Sequence, residues 1–175
     1  FKMLWIASFV SSIGTWMQDV GAAWLMVTLT TEPIMVASIQ AITSFSIFLL
    51  ALPAGAIADI IDRRRYLILS QTGLMITAGL LALITFLDKI SPELLLLLTF
   101  CLGSGAALSF PAWFSLMSEL VPDKHMTSAV ALTSVSLNFS RALGPVLAGF
   151  VIVVSGPAAV FALNSLSFFA IIIVL

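Results

Sequence analysis

The chain has 175 residues, of which 61% are hydrophobic and only 9% are charged. A soluble globular domain carries about a quarter Asp, Glu, Lys and Arg, so the composition excludes a water-soluble enzyme and a disordered chain. Seven basic and eight acidic residues give a formal net charge of −1, which excludes the basic surface that a nucleic-acid partner needs. The composition therefore predicts an all-α, polytopic membrane protein.

Apolar segments follow one another along the chain, and a bilayer takes about 20 apolar residues of helix. Polar or proline-containing loops separate these segments at 31–33, 59–65, 88–91, 121–125 and 155–157. Ser91, Pro92 and Glu93 form the pattern of a helix cap followed by a proline and an acid in the first turn. The sequence predicts six transmembrane helices, at about 3–29, 34–58, 66–87, 93–120, 127–154 and 158–175.

The basic residues predict the orientation, because cytoplasmic loops are enriched in Lys and Arg. With a cytoplasmic N-terminus, five of the seven basic residues lie inside, Lys89 lies outside and Arg141 lies within a span. We therefore expect the N-terminus in the cytoplasm.

Two ionisable residues, Asp19 and Arg141, lie inside predicted spans, where such residues are rare and by default mark functional sites. Each continues a polar stripe at helical spacing, and helices 1 and 5 are expected to run in the same direction. We therefore expect the two charges at comparable depth, facing one interior cavity. The predicted solute and proton pathway comprises Thr15, Gln18, Asp19, Trp113, Asn138 and Arg141.

Other arrangements of these two charges remain open at this point. Asp19 and Arg141 either pair directly or face the cavity separately. In the competing interpretation, Asp19 reaches the outer interface and Arg141 holds backbone carbonyls. The aromatic residues, including Trp113, are explained equally well by packing or by an interface belt.

The loop after helix 2 contains a charge in an unfavourable place. Asp59 lies at the C-terminal end of a helix, where the macrodipole disfavours an anion. Arg63, four residues on, is expected to fold back towards it, and Asp62 is expected to cap helix 3. Gly55, one turn before Asp59, belongs to an edge of small residues that allows close packing.

Helix 5 is interrupted by Pro145, which removes a backbone hydrogen bond in mid-span. Such breaks are tolerated where neighbouring helices or cavity water satisfy the freed carbonyl. Gly144 and Ala148, four residues apart, leave room for a neighbouring helix, and Gly149 follows directly.

Several of these segments resemble the major facilitator superfamily. Residues 55–67 resemble the loop signature between its second and third helices, with Ile60 and Asp62 departing from the usual basic residue and glycine. Residues 14–18, 110–113 and 119–122 are similar to a bacterial branch of enterobactin exporters and macrolide-efflux-like proteins. Residues 144–149 resemble the fifth-helix motif of proton-coupled antiporters, with Ala148 in place of a glycine.

The resemblance implies the N-terminal half of a twelve-helix transporter, built as a 3+3 inverted repeat with the substrate between the halves. It implies export by alternating access, driven by protons. Asp19, the sole mid-span carboxylate of these six helices, is the candidate for proton coupling. The aromatic residues Trp16, Phe110 and Trp113 favour a small hydrophobic or amphipathic solute, drug-like or siderophore-like.

The resemblance assigns conformational control to the loop motif, whose Asp59 and Arg63 contact the partner half in the outward-open state. The loop motif comprises Gly55, Asp59, Asp62, Arg63 and Arg64, and the antiporter-like motif comprises Gly144, Pro145, Ala148 and Gly149.

The expected partners are the small-molecule solute, protons, the lipid bilayer and a C-terminal half. No cofactor, metal or catalytic residue is expected, and the expected location is the bacterial inner membrane. Because the last segment ends without a flanking charge and residue 1 is Phe, we expect the sequence to be part of a longer protein.

Two other functions compete with a secondary transporter. The chain is alternatively the membrane domain of an ATP-driven exporter, although it contains no phosphate-binding G-x-x-x-x-G-K-[ST] loop. It is alternatively a receptor or scaffold that does not transport. An intramembrane protease is disfavoured, because the one histidine, His125, lies in a predicted loop.

Overall fold

The computed structural model describes residues 2–175, including the side chains of all of these except residues 58–60. Within that range the chain forms six α-helices, as predicted. The helices are α1 (Lys2–Leu29), α2 (Pro33–Ile60), α3 (Arg63–Phe86), α4 (Pro92–Leu120), α5 (Asp123–Ser155) and α6 (Pro157–Val174).

Local capping explains where the helices begin. The Asp62 carboxylate accepts a hydrogen bond from the Arg65 backbone N–H at 2.9 Å, so α3 begins at Arg63, three residues before the predicted start. The Ser91 hydroxyl accepts one from the Leu94 N–H at 3.2 Å, which confirms the predicted cap of α4. Gly156, with φ of +80°, connects α5 to α6 in a conformation that favours glycine.

The helix lengths and compositions are those of an integral membrane protein. Five helices, α2 to α6, are long and apolar enough to cross a bilayer. The remaining helix, α1, has 28 residues, which at 1.5 Å per residue is long enough to cross a bilayer. Its serines and threonines, with Gln18 and Asp19 near its middle, interrupt the apolar stretch that a span requires. The prediction of six apolar spans thus holds for five of the helices.

Two hydrophobic clusters lie at opposite ends of the bundle. One joins the start of α1 and α3 to the ends of α4 and α6, and its buried members include Leu4, Leu67, Leu116 and Ile171. The other joins the second half of α1 to α3 and to the starts of α2, α4 and α6, and it includes Leu25, Ile39, Leu95 and Phe161. Because the starts of α1 and α3 lie in the first cluster and those of α2, α4 and α6 in the second, α1 and α3 run in one direction and α2, α4 and α6 in the other.

Five pairs of helices make the most extensive contacts. They are α3 with α6, α2 with α4, α1 with α6, α1 with α5, and α3 with α4. In consequence α1, α3, α4 and α6 each pack extensively against at least two neighbours. The helices α2 and α5 each pack extensively against one, and large parts of their surfaces are exposed.

A buried polar cluster joins α1 to α6. The Asn164 side-chain amide donates a hydrogen bond to Gln18 Oε1 at 2.6 Å. The Ser167 hydroxyl donates to the Asn164 backbone carbonyl at 2.7 Å and lies 3.3 Å from Ser11 Oγ. We call these four residues the α1–α6 polar joint. Because buried polar groups cost several kcal/mol when left unpaired, the joint fixes the register of α6 on α1.

Gly14 makes the close approach of α1 and α6 possible. A Cβ atom at this position would lie 2.6 Å from Asn164 Oδ1 and 3.3 Å from Asn164 Cα. The backbone contact leaves little room for rearrangement. The sequence suggests a small-residue seam in many helices, but only the structure shows which glycine contacts the joint.

We predict that Gly14→Ala destabilises the protein by about 1–3 kcal/mol, because the added methyl group overpacks the joint. The matched control is Gly73→Ala in α3, where a Cβ would meet nothing within 4 Å and a higher helix propensity adds up to about 1 kcal/mol. Thermal unfolding of the purified variants measures both effects. Equal melting temperatures for the two variants would contradict the tight packing at Gly14.

Candidate solute pathway

The polar stripe predicted on α1 divides between the inside and the outside of the bundle. Gln18 is buried and belongs to the α1–α6 polar joint. Its neighbour Asp19 is exposed on the bundle surface. Thr15 is half-buried, and its hydroxyl donates to the Ser11 backbone carbonyl at 3.0 Å. Asp19 is therefore a charge in the middle of α1 that lies outside the six-helix core.

Arg141 lies on α5 beside the same part of α1. Its guanidinium carbon is 5.5 Å from the centre of the Trp16 ring, in a cation–π contact. Asn138, one turn earlier, is exposed, and its side-chain amide donates to the Ser134 backbone carbonyl at 2.9 Å. The structure thus brings Arg141 and Asn138 to one exposed surface of α5, next to α1.

Asp19 and Arg141 lie at similar depths but do not form an ion pair in this structure. Trp16, which Arg141 contacts, precedes Asp19 by three residues, or about 4.5 Å along the helix axis. Among the residues whose side chains the structure describes, the only ion pair joins Arg63 to Glu119. Asp19 and Arg141 are therefore both left without an oppositely charged partner in the described part of the chain.

Gly144 brings α5 close to α1 at this level. A Cβ at Gly144 would overlap the Trp16 Cβ and would lie 3.2 Å from the Met17 backbone nitrogen. Ala148, one turn further, is fully buried in a cluster with Met17. The other two residues of the helix-5 motif, Pro145 and Gly149, are exposed. The small residues of the motif thus have different surroundings, and Gly144 and Ala148 are the ones that pack against α1.

The loop motif after α2 is tied to the end of α4. Arg63 forms an ion pair with Glu119, and the two side chains are 38% and 54% exposed. Arg64 is exposed, and a Cβ at Gly55 would meet nothing within 4 Å. The predicted contact between Arg63 and Asp59 remains a prediction, because the Asp59 side chain lies outside the described residues.

Trp113 packs against other side chains of the bundle. It is half-buried against the hydrophobic cluster that contains Leu4, Leu67 and Leu116. This position agrees with the packing interpretation of the aromatic residues. A role of Trp113 in the solute pathway stays a prediction.

A cavity of about 540 Å³ lies elsewhere, at the opposite end of the bundle from the N-terminus. It lies between the end of α1, the end of α3 and the start of α6, and its lining includes Trp24, Thr28, Thr85 and Asp88. Asp88 is its one charged lining residue, and the cavity does not include Asp19 or Arg141. It is therefore separate from the predicted pathway.

Sequence reasoning missed two polar contacts. Asn164 is the sole amide side chain of α6, in a segment otherwise treated as apolar, and this isolation was the available signal. Glu119 belongs to one of the segments that carry the family resemblance, but no local pattern identifies Arg63 as its partner, since 56 residues separate the two.

The chain matches one protein family over its whole length and two curated transporters over most of it. The family described as transmembrane secretion effector matches residues 1–175. The chain is 24% identical over 169 residues to the staphyloferrin A transporter of Staphylococcus aureus (strain NCTC 8325 / PS 47), covering 96% of the chain and 43% of the relative. It is 27% identical over 161 residues to an uncharacterised MFS-type transporter, YfiS, of Bacillus subtilis (strain 168), covering 91% of the chain and 37% of the relative.

The chain therefore spans less than half the length of these two curated relatives. Its helices are consistent with the match, since five of them meet the requirements for a membrane span. The chain belongs to the transmembrane secretion effector family of the major facilitator superfamily.

Proposed function

We propose that these six helices form the N-terminal half of a secondary transporter that exports a small amphipathic solute in exchange for protons. The observation that carries this proposal is the surface shared by α1 and α5. Asp19, Asn138 and Arg141 are exposed there on long helices of a membrane protein, and the two charges are not paired with each other. Such residues are costly in lipid and are typical of a water-filled solute pathway.

The exposed surfaces of α2 and α5 support the presence of a second helical bundle. In the most apolar 18-residue stretch of each helix, only 11% of the residues of α2 and 22% of those of α5 are buried, whereas 33% are buried in α3, α4 and α6. The relatives are more than twice as long as the matched segment. We propose that a C-terminal six-helix bundle faces α2 and α5, and that the solute binds between the two bundles.

The helix contacts support a 3+3 inverted repeat. Exchanging α1 with α4, α2 with α5 and α3 with α6 converts the contact of α1 with α5 into that of α4 with α2. The same exchange converts α1 with α6 into α4 with α3, and leaves α3 with α6 unchanged. The five most extensive contacts are therefore preserved as a set, which is the arrangement expected of two related three-helix units.

The family description supports the proposed direction of transport, and the distribution of basic residues supports the proposed orientation in the membrane. The family description, transmembrane secretion effector, favours export, and one relative is named for a small molecule, staphyloferrin A. The Arg63–Arg65 cluster and Lys124 favour a cytoplasmic N-terminus by the positive-inside rule. We propose a bacterial inner-membrane location with that orientation.

Purified full-length transporter in proteoliposomes tests the function. We expect an imposed pH gradient to drive movement of a hydrophobic or amphipathic probe without ATP, because the proposal makes protons the coupling ion. Transport that requires ATP would favour an ATP-driven exporter. The absence of any transport by folded protein would favour a receptor or scaffold, and either result would contradict the proposal.

We predict that Asp19→Asn abolishes proton-driven transport but retains exchange of solute across the membrane without a gradient. The amide is similar in shape to the carboxyl group but does not take up or release a proton. Counterflow and pH-driven uptake measure the two activities separately. Asp88→Asn, in the loop after α3, is the control and should leave both activities unchanged. Normal proton-driven transport by Asp19→Asn would exclude this residue from coupling.

We predict that Arg63→Glu and Glu119→Arg each reduce transport, because like charges then face each other between α3 and α4. The double variant restores the attraction and should recover most of the activity. Since the pair is well exposed, each single change should reduce stability by no more than about 1 kcal/mol. Initial transport rates, normalised to membrane protein, measure the effect. If the double variant is as inactive as either single variant, the ion pair is not the relevant interaction.

We predict that Gly144→Ala lowers transport more than Gly149→Ala. A methyl group at Gly144 pushes α5 away from Trp16, whereas one at Gly149 would meet nothing within 4 Å. Both glycines belong to the same motif, so the comparison separates close packing from motif membership. Transport rates and amounts in the membrane are measured together. Equal activity of the two variants would contradict the packing role.

A further inference from the structure

We propose that Arg141, in cation–π contact with Trp16, binds the carboxylate group of the transported solute. This inference rests on the proposed function, because it assigns a ligand to the same pathway. It goes further in naming the chemical class of the solute, an amphipathic carboxylate, and the residue that recognises its charge.

The position of the pair favours a solute over a lipid headgroup. Trp16 lies 14 residues after the start of α1 and 13 before its end, and Arg141 lies 18 residues after the start of α5 and 14 before its end. At 1.5 Å per residue, each is about 20 Å or more from either end of its helix. Lipid phosphates lie near the helix ends, so an anion at this level reaches Arg141 through the pathway.

The charge of Arg141 is available to a ligand. An arginine side chain is protonated at all physiological pH values, and Arg141 takes no part in the ion pair found among the described residues. Its side chain is exposed on the bundle surface. Asp19, one turn beyond Trp16 on α1, does not neutralise it by direct contact.

The guanidinium carbon of Arg141 lies 5.5 Å from the centre of the Trp16 ring. A contact with an aromatic ring does not neutralise the charge, and an arginine side chain carries five N–H donors. Those donors match the two oxygens of a carboxylate. Gly144 allows α5 to lie directly against the backbone at Trp16, which keeps Arg141 beside α1.

Neighbouring aromatic rings favour an organic anion. Trp5 and Phe9 stack with their ring centres 5.7 Å apart. With Trp16 they repeat at intervals of four and seven residues, so the three side chains lie on one face of α1. This face supplies apolar surface next to the charge. A small inorganic anion would use the charge but not the rings.

The test compares two probes of the same shape, 1-naphthoate and its neutral amide, 1-naphthamide. Full-length transporter is placed in nanodiscs of phosphatidylcholine, and binding of each probe is measured by calorimetry. We expect naphthoate to bind about tenfold more tightly than naphthamide, as one charge-assisted contact provides. This comparison needs no substitution, so it tests the proposal even if a variant fails to fold.

The variants then assign the preference to one residue. Arg141→Gln should remove the difference between the probes, Arg141→Lys should retain part of it, and Lys124→Gln on the same helix should leave it unchanged. Equal binding of the two probes, binding of neither, or an undiminished preference in folded Arg141→Gln would overturn the proposal. Displacement of naphthoate by added phosphatidylglycerol would assign the site to a lipid and would also overturn it.

Failure of the carboxylate-site proposal is distinguishable from failure of the proposed transport function. A transporter that moves naphthamide in a pH gradient, but binds the two probes equally, is still a proton-coupled exporter without a carboxylate site. A protein that prefers naphthoate but does not transport it would retain the binding site and lose the proposed function.

Discussion

The structure depends on one hydrogen bond between α1 and α6, from the Asn164 amide to Gln18 Oε1. Both side chains are buried in a bundle whose other surfaces are mostly apolar. In such surroundings an unpaired amide costs several kcal/mol, so the two helices adopt the register that satisfies both groups. Gly14 contributes by allowing α1 and α6 to approach. The position of α1, and hence of every polar residue on it, follows from this contact.

Because Gln18 faces α6, helical geometry places Asp19 on a different side of α1. Consecutive residues on a helix are about 100° apart, so the same interaction that buries Gln18 leaves Asp19 on the outer surface. Gly144 then places α5 beside Trp16, which brings Arg141 next to α1. The paired polar residues thus hold the bundle together, and the unpaired ones mark the surface that we assign to solute and protons.

The positions of the helices and the all-α membrane class could be predicted from the sequence, because long apolar segments and helix caps are local signals. Asp62 and Ser91 illustrate this, since each caps a helix within three residues of itself. Asp19 and Arg141 are equally visible, because they interrupt apolar segments. The structure shows both exposed on the surface of the six-helix bundle, and that they face one interior cavity stays a prediction.

The choice of partners could not be predicted in the same way. Gln18 and Asn164 are 146 residues apart, and either could face inward or outward until the helices are packed. The same applies to Arg63, whose partner Glu119 lies on another helix, 56 residues away. Partners in a helical bundle are set by tertiary packing, which a single sequence does not display.

Buried polar residues hold the helices together, whereas exposed ones line the proposed pathway. The most direct test of this distinction is the reactivity of single cysteines on α5 towards a charged, water-soluble methanethiosulfonate reagent. Asn138 is exposed on the proposed pathway, whereas Ser136, two residues away, is buried. In full-length transporter carrying Cys101→Ser, we expect rapid modification of Asn138→Cys and little of Ser136→Cys. Equal reactivity of the two, or an unreactive Asn138→Cys, would mean that the exposed polar face of α5 does not line a water-filled pathway.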